Sequence, residues 1–445
     1  MRARGRGELF CVLGVAIVLA DSSIVTLALP DILRRFDTSV FQVSFVLTAF
    51  NLFFAALIVP AARLAQRRVV AVSRVGFIVF GAASVVCAVA PSIAVLIAAR
   101  CMQAAGGAAV VASSIELLSG WRGSHRSAAP VLVGASVAGL AVGPAIGGVL
   151  TQALSWESIF AFQVPVIAMA LFVGRPAAPA RAEAETPGPR LAPELALGLI
   201  SAGLTGALFL LVVMLTQGWG YSPLAAAAVV SAMPVATLAA QPLVRRAERS
   251  FATIGAGAVL VAGGLGGLAL LPGADWEWTL IPQTLIGFGL ALSLPGLTLA
   301  ALSSGDPGGR RAAATLGARH AGVVIGIVAL TPVFAAQLDR ADENAQRAGT
   351  ALLLDASLSP GAKLDLGSAI ADRIAAADGR LPALGPAFDT VDVDSDQQGE
   401  LDQLRRSLDD EVDKAATSAF SLSFLFAALL ALAAALPIGL GLRRR

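Results

Sequence analysis

GELFCVLGVAIVLADSSIVTLALP, residues 7–30, reads as one membrane-crossing helix with a carboxylate set inside it. A helix rising about 1.5 Å per residue needs roughly 20 apolar positions to cross the hydrocarbon core of a bilayer. The run from Leu9 onward supplies them. The basic stretch Met1 to Gly7 gives it the look of a secretion signal, but the run outlasts a signal's apolar core. It also contains Asp21 and shows no small-residue cleavage pattern before Pro30. It is expected to stay as an uncleaved first span.

The pattern recurs along the chain. Segments near 41–62, 69–90, 92–118, 129–153, 158–174, 195–216, 222–243, 252–272, 279–302, 314–337 and 418–441 bring the total to twelve. Hydrophobic residues make up 56% of the sequence and charged ones 14%, with a mean hydropathy of +0.78. A water-soluble domain carries about 25% charged residues, so lipid must be the solvent for much of this surface. The predicted fold class is all-α and membrane-embedded. Arginine far outnumbers lysine, which points to a GC-rich bacterial genome and hence to a bacterial cytoplasmic membrane.

Arginine placement sets the expected orientation, because positively charged connections stay cytoplasmic. Arg2, Arg4 and Arg6 precede the first segment, and Arg63, Arg67, Arg68 and Arg74 flank the second connection. Arg122 and Arg126 lie in the fourth, Arg175, Arg181 and Arg190 in the sixth, Arg245, Arg246 and Arg249 in the eighth, and Arg310 and Arg311 in the tenth. Arg443 to Arg445 end the sequence. The odd connections before the long insertion hold only Arg34 and Arg35. Both termini are expected in the cytoplasm.

The expected organisation is a six-helix bundle over 1–174, a cytoplasmic linker over 175–194, and helices 7 to 11 of a second bundle over 195–337. An extracytoplasmic acidic helical cap follows over 338–417, then helix 12 and a cytoplasmic tail over 418–445. The 338–417 insertion holds 17 acids and 8 bases. Within it, Leu401, Leu404, Leu408 and Val412 repeat at helical spacing into the last span, and Ser359-Pro360 opens a predicted helix to about Ala377. The insertion is also the place where an extracytoplasmic partner would bind. Asp392 to Glu400 hints at a calcium loop, but Gln397 stands where the turn requires glycine, so no metal is assigned there. Cys11, Cys87 and Cys101 all fall in apolar segments, which leaves no disulfide framework.

At this level of detail the sequence resembles a known family. LADSSIVTLALP (Leu19 to Pro30) resembles the helix-1 signature of the drug:proton antiporter branch of the major facilitator superfamily, usually the fourteen-helix type. RCMQAAGGAA (Arg100 to Ala109) is similar to its helix-4 motif, with an arginine and a glutamine three residues on. GLAVGPAIGG (Gly139 to Gly148) resembles the helix-5 antiporter motif, followed by Trp156, Ile159, Phe160 and Pro165, which also fit. QGWGYSPLAA (Gln217 to Ala226) and RRAAATLGARHAGVVIG (Arg310 to Gly326) look like later helices of that family. The resemblance implies two six-helix bundles that rock about a central cavity. Departures are plain too. ARLAQRRVV (Ala62 to Val70) is shortened and has Gln66 where the family places a latch acid. Phe50 replaces a common tyrosine, Glu157 replaces a basic residue, and twelve helices stand in place of fourteen.

Two intramembrane charges are the leading mechanistic candidates. Asp21 lies roughly 13 Å along helix 1 from Pro30, and Arg100 roughly 12 Å along helix 4 from Ser92, so the two reach similar depth. An ionised side chain at mid-membrane costs about 2.5–3.5 kcal/mol on insertion scales, so each should face a cavity or the other. Asp21 is read as the proton-exchanging group and Arg100 as its partner, within a water-reachable chamber between the bundles. A permanent structural ion pair is the alternative. Asn51, Gln103, Gln163, Gln217 and Gln283 are candidate polar contacts in a substrate cavity. Gly139, Gly143, Pro144, Gly147 and Gly148 are candidate gating positions, since glycines four apart permit close helix contact and Pro144 permits bending. His320 is a candidate proton relay. Glu116 is expected at the inner interface and His125 in a solvated loop.

These features point to a secondary active transporter: a proton-coupled exporter of small apolar or amphiphilic compounds, taking protons and a small-molecule substrate as partners. Two other readings stand beside it. One is export of a lipid or secondary metabolite with help from the cap; the other is a transport-dead sensor or scaffold that has lost its latch acid. No clustered basic face exists for nucleic acid. An enzyme would need a cluster of His, Asp or Ser at one depth, and no cofactor is implied.

Overall fold

The computed structural model describes residues 2–38, 40–173, 192–244, 250–302, 309–377, 384–391 and 397–442. The 174–191 stretch, which holds nearly all of the predicted linker, lies outside them, as do Arg245, Arg246, Arg249, Asp392 to Asp396 and the last three arginines. The described chain is all-helical. The first half comprises α1 (Arg2–Arg35), α2 (Val40–Ala88), α3 (Ile93–Arg122), α4 (His125–Ala153), α5 (Ser158–Ala161) and α6 (Gln163–Val173). The second half begins with α7 (Ala192–Val213), which runs into a π turn over Met214–Gly218. It continues through α8 (Pro223–Val230), α9 (Ala232–Val244), α10 (Phe251–Ala269), α11 (Leu280–Leu302) and α12 (Arg310–Asp355). Last come α13 (Pro360–Ala377), α14 (Gly385–Phe388), α15 (Gln398–Ala433) and α16 (Ala435–Leu442).

Among the described residues, nine helices are long and apolar enough to cross a membrane. The difference from twelve segments has a physical origin. α2 is 49 residues long, far more than one crossing requires. It breaks at Arg68, whose φ of −142° and ψ of 53° are non-helical, so the second and third segments are joined there. The fifth segment is α4, and the sixth is divided between α5 and α6.

The helices sort into two bundles. α1 packs on α3, α4 and α6, and α2 on α3, while α7 and α15 pack on each other and each on α10 and α12. The bundles meet chiefly along two helix pairs, α2 with α12 and α4 with α8. Close approach depends on missing side chains. At Gly322 and Gly326 of α12, a Cβ would overlap the carbonyl oxygens of Gly198 and Ala202 on α7, with the carbonyl carbon 2.7 Å away in each case. These are backbone atoms and cannot swing aside. Gly326→Val is therefore expected to lower stability by about 3 kcal/mol, the upper range for overpacking a core. The check is a lower melting temperature in detergent than for Gly263→Val, where a Cβ meets nothing within 4 Å.

The 338–417 insertion is built on helices that continue past their spans. α12 extends to Asp355, and α15 begins at Gln398. Ser359 caps α13, its Oγ accepting from the Ala362 backbone N–H at 3.3 Å. Leu358, Leu366, Leu384, Phe388, Leu404 and Leu408 form an apolar cluster of their own, with Leu401 and Val412 partly buried against it. Glu400 ties the turn before α13 to α15 by accepting from the Ser357 N–H at 3.0 Å.

Candidate functional site

Asp21 of α1 and Arg100 of α3 meet. Arg100 Nη1 donates to Asp21 Oδ2 at 2.6 Å, and both side chains are fully buried. The same Nη1 donates to Gln103 Oε1 at 2.5 Å, one helical turn on. Arg100 Nε–H donates to the Val46 carbonyl on α2 at 3.1 Å. The guanidinium lies over the Phe50 ring, 4.3 Å from its centroid, with Phe160 of α5 farther off at 5.8 Å. Arg100 thus links three helices, and the planar fork is what allows it. Its Nη2 is buried without an acceptor among the described residues.

Gln163, the first residue of α6, closes a second arm. Its Nε2 donates to Asp21 Oδ1 at 2.8 Å. Gln103 Nε2 donates in turn to Gln163 Oε1 at 2.7 Å and to Ser84 Oγ at 2.8 Å. Ser84, in the part of α2 beyond Arg68, has two acceptors for its one hydroxyl proton, the Phe80 carbonyl at 2.8 Å and Gln163 Oε1 at 3.0 Å. All of these side chains are fully buried.

The sequence placed this pair in a chamber between the bundles. The structure puts it inside the first bundle instead, since every partner comes from α1, α2, α3, α5 or α6. The reason is that Arg100 and Asp21 find enough acceptors and donors from their own bundle to be buried together. Gln103 and Gln163, expected as substrate contacts, belong to this network. Ser84 and the Val46 carbonyl were missed. Ser84 was legible as one of two hydroxyls, with Ser73, within an apolar segment, whereas a backbone carbonyl leaves no trace in sequence.

The other candidates lie elsewhere. Asn51 donates to its own helix at the Leu47 carbonyl, 2.8 Å away. Gln283 is fully buried on α11 and donates to Thr279 Oγ1 at 3.0 Å. Gln217 sits partly exposed in the π turn. The glycines of α4 divide into two groups. Gly139, Gly143 and Gly147 face α1, where a Cβ at Gly147 would lie 2.6 Å from the Ile24 carbonyl oxygen; Gly148 faces Ala227 and Pro223 of α8, across the bundle junction. Pro144 is buried between them.

His320 stacks on Phe54 with ring centroids 4.0 Å apart, bridging α12 and α2, while its Nδ1 lies 2.8 Å from the Leu316 carbonyl. Phe50 and Phe54 stack with centroids 6.1 Å apart. An unbroken line of contacts therefore runs from Asp21 through Arg100, Phe50 and Phe54 to His320 in the other bundle. His125 is buried rather than solvated. Its Nε2 and the Glu116 carboxylate crowd Gly309, the residue that opens α12 at φ 66°. Glu116 thereby lies at a contact between bundles, not at a free headgroup surface. The bundles touch at the opposite end as well, where Gln152 Oε1 accepts from the Leu224 N–H at 3.4 Å.

Residues 11–338 match the family described as Major Facilitator Superfamily. The chain belongs to that superfamily. It is a family of membrane transporters and not of enzymes, and the two bundles and their paired junctions agree with it. Among curated relatives, the multidrug resistance protein Stp of Mycobacterium tuberculosis is 35% identical over 168 residues, covering 36% of this chain and 31% of the relative. The methylenomycin A resistance protein of Streptomyces coelicolor is 34% identical over 164 residues, covering 36% of this chain and 34% of the relative. The matched stretch spans only about a third of these relatives' length. Of solved structures, a bacterial homologue of the human lysosomal transporter Spinster, in an inward-facing and unoccupied conformation, aligns with a TM-score of 0.62 at 15% identity over 98% of each chain. The human organic anion transporter MFSD10 aligns with a TM-score of 0.58 at 14% identity, covering 74% of this chain and 94% of its own. Major facilitator likeness at such identities concerns the fold alone.

Proposed function

We propose that this major facilitator protein is a proton-coupled exporter of small apolar or amphiphilic compounds, working by alternating access between its two bundles. It would reside in a bacterial cytoplasmic membrane with both termini on the cytoplasmic side. The observation that carries the reading is the buried Asp21–Arg100 pair, joined through stacked rings to a helix of the opposite bundle. A carboxylate is the group in this pair that can take a proton. Once neutral it no longer balances the guanidinium, and Arg100 also grips α2, the helix that meets α12. Protonation at one site thereby acts on a junction between bundles, which is a two-state element both sites can bias. Gly148 against α8 is the proposed second moving contact. The resistance proteins among the relatives support export as the direction and drug-like compounds as cargo.

Few charges lie within the spans of the second bundle, which favours neutral or amphiphilic cargo over cations. A panel of dyes and antibiotics in everted vesicles, with and without an imposed proton gradient, tests the class. Gradient-dependent movement of amphiphilic compounds is expected; movement confined to strongly charged solutes would overturn it. Export of a lipid or secondary metabolite is the second reading, favoured by the separate apolar core of the 338–417 insertion. Deleting 345–410 decides between them. Intact dye efflux leaves the insertion outside the transport cycle, while its loss from a folded protein assigns the insertion a part. If no compound moves under any gradient, the chain is a sensor or scaffold.

A further inference from the structure

We propose that Gln103 and Gln163 are positioning residues that carry the protonation of Asp21 to Arg100 as a reversal of hydrogen-bond direction. The inference rests on Asp21 as the group that takes up the proton, and it adds how that event is transmitted.

The four side chains form a closed ring. Arg100 Nη1 donates both to Asp21 Oδ2 and to Gln103 Oε1, Gln103 donates to Gln163, and Gln163 donates to Asp21 Oδ1. Every donor points towards Asp21. The two ends dictate this order, since a guanidinium has only donors and an ionised carboxylate only acceptors. Both amides are therefore oriented by chemistry. Each can be turned over, whereas Arg100 cannot.

A proton arriving on Oδ1 makes that oxygen a donor facing the Gln163 NH2. Turning the Gln163 amide presents its carbonyl to the new O–H, but aims its NH2 at the NH2 of Gln103. Turning Gln103 as well repairs that contact and sets its NH2 against Arg100 Nη1. The mismatch thus travels to the one member that has no acceptor to offer. A proton on Oδ2 confronts Nη1 directly. By either route, Arg100 must leave Asp21 or Gln103. Ser84 tolerates both states, because its hydroxyl can donate to Phe80 O while its oxygen accepts from either amide.

Among the described residues, Arg100 is the only charged group paired with Asp21. Arg100 on α3 and the Cys87 thiol on α2 are the titratable groups facing it, with Cys87 Sγ 3.9 Å from Gln103 Oε1. The charged groups of α4 (His125, Arg126) and α7 (Glu194) lie in their first turns, and α5, α6 and α8 carry none.

The experiment is pH-step infrared difference spectroscopy on the purified full chain in lipid, between about pH 9 and about pH 4, with glutamine isotopically labelled. In the unaltered protein, the protonated-carboxyl band lost in Asp21→Asn should rise in step with glutamine amide bands and a shifted guanidinium band. In Gln163→Leu the carboxyl band should persist while the amide band belonging to Gln103, assigned through Gln103→Leu, no longer responds. A carboxyl band with silent glutamines overturns the relay. So does the absence of any Asp21 band, or a Gln103 response that survives Gln163→Leu. The unaltered protein decides even if a variant fails to fold. Spectra as expected alongside efflux indifferent to a proton gradient would overturn the coupled-export reading and leave the relay standing.

Discussion

Asp21→Ala is expected to destabilise the protein by about 3–5 kcal/mol, the usual cost of stranding one member of a buried ion pair. The geometry makes this a severe case. Arg100 is fully buried, and among the described residues its carboxylate partner at 2.6 Å is the only anion it touches. Without that anion the guanidinium keeps the Val46 carbonyl and Gln103, both neutral. The converse is more informative. Removing both charges, as in Asp21→Asn with Arg100→Leu, takes away the orphan and should restore most of the lost stability, since apolar replacement of a buried pair is often neutral. The double variant should nonetheless fail to couple transport to a proton gradient. Melting temperatures in detergent, read beside efflux rates, separate the two roles. Recovery of stability together with coupling would show the pair to be structural only.

Gly148→Leu is expected to abolish transport while leaving the fold intact. A Cβ at this position would overlap that of Ala227 and lie 3.1 Å from the Pro223 carbonyl oxygen, so a leucine cannot fit while α4 and α8 touch. The neighbouring glycine gives the control. Gly147 faces α1 within its own bundle, 2.6 Å from the Ile24 carbonyl oxygen, and Gly147→Leu should damage folding itself. At the bundle junction the wedge prevents one end from closing, and efflux should fall roughly tenfold or more because a cycle that cannot close cannot turn over. Ala227→Cys, placed at a position only 1% exposed, reports the change. Labelling by a membrane-impermeant thiol reagent should rise sharply when Gly148→Leu is added, measured over the background from Cys101. Unchanged labelling and transport would show the junction to be slack.

Much of this was legible in sequence, for identifiable reasons. Counting 1.5 Å per residue inward from Pro30 and Ser92 set Asp21 and Arg100 at matching depth, and the cost of burying a charge left each to face a cavity or the other. Ser359-Pro360 announced the helix that runs Pro360–Ala377. The bundle to which the pair belongs was not legible, because depth fixes a position along a helix but not the direction it faces. The glycine motif contained more than was taken from it. Gly139, Gly143 and Gly147 repeat every four residues and so share one face, while Gly148 is turned about 100° away, as its contact with the other bundle requires. His125 and Glu116 were misjudged since a short loop reads as solvated unless the opposite bundle is known to cover it. Gly309, in the left-handed region, is what brings the start of α12 against them.

The most direct test of proton coupling at Asp21 is uphill accumulation of an amphiphilic dye in proteoliposomes under an imposed pH gradient. The wild-type protein should concentrate dye only while the gradient lasts, and Asp21→Asn should merely equilibrate it. Equal accumulation by both proteins, or accumulation by the wild type that persists after a protonophore collapses the gradient, would contradict a role for this carboxylate in driving transport.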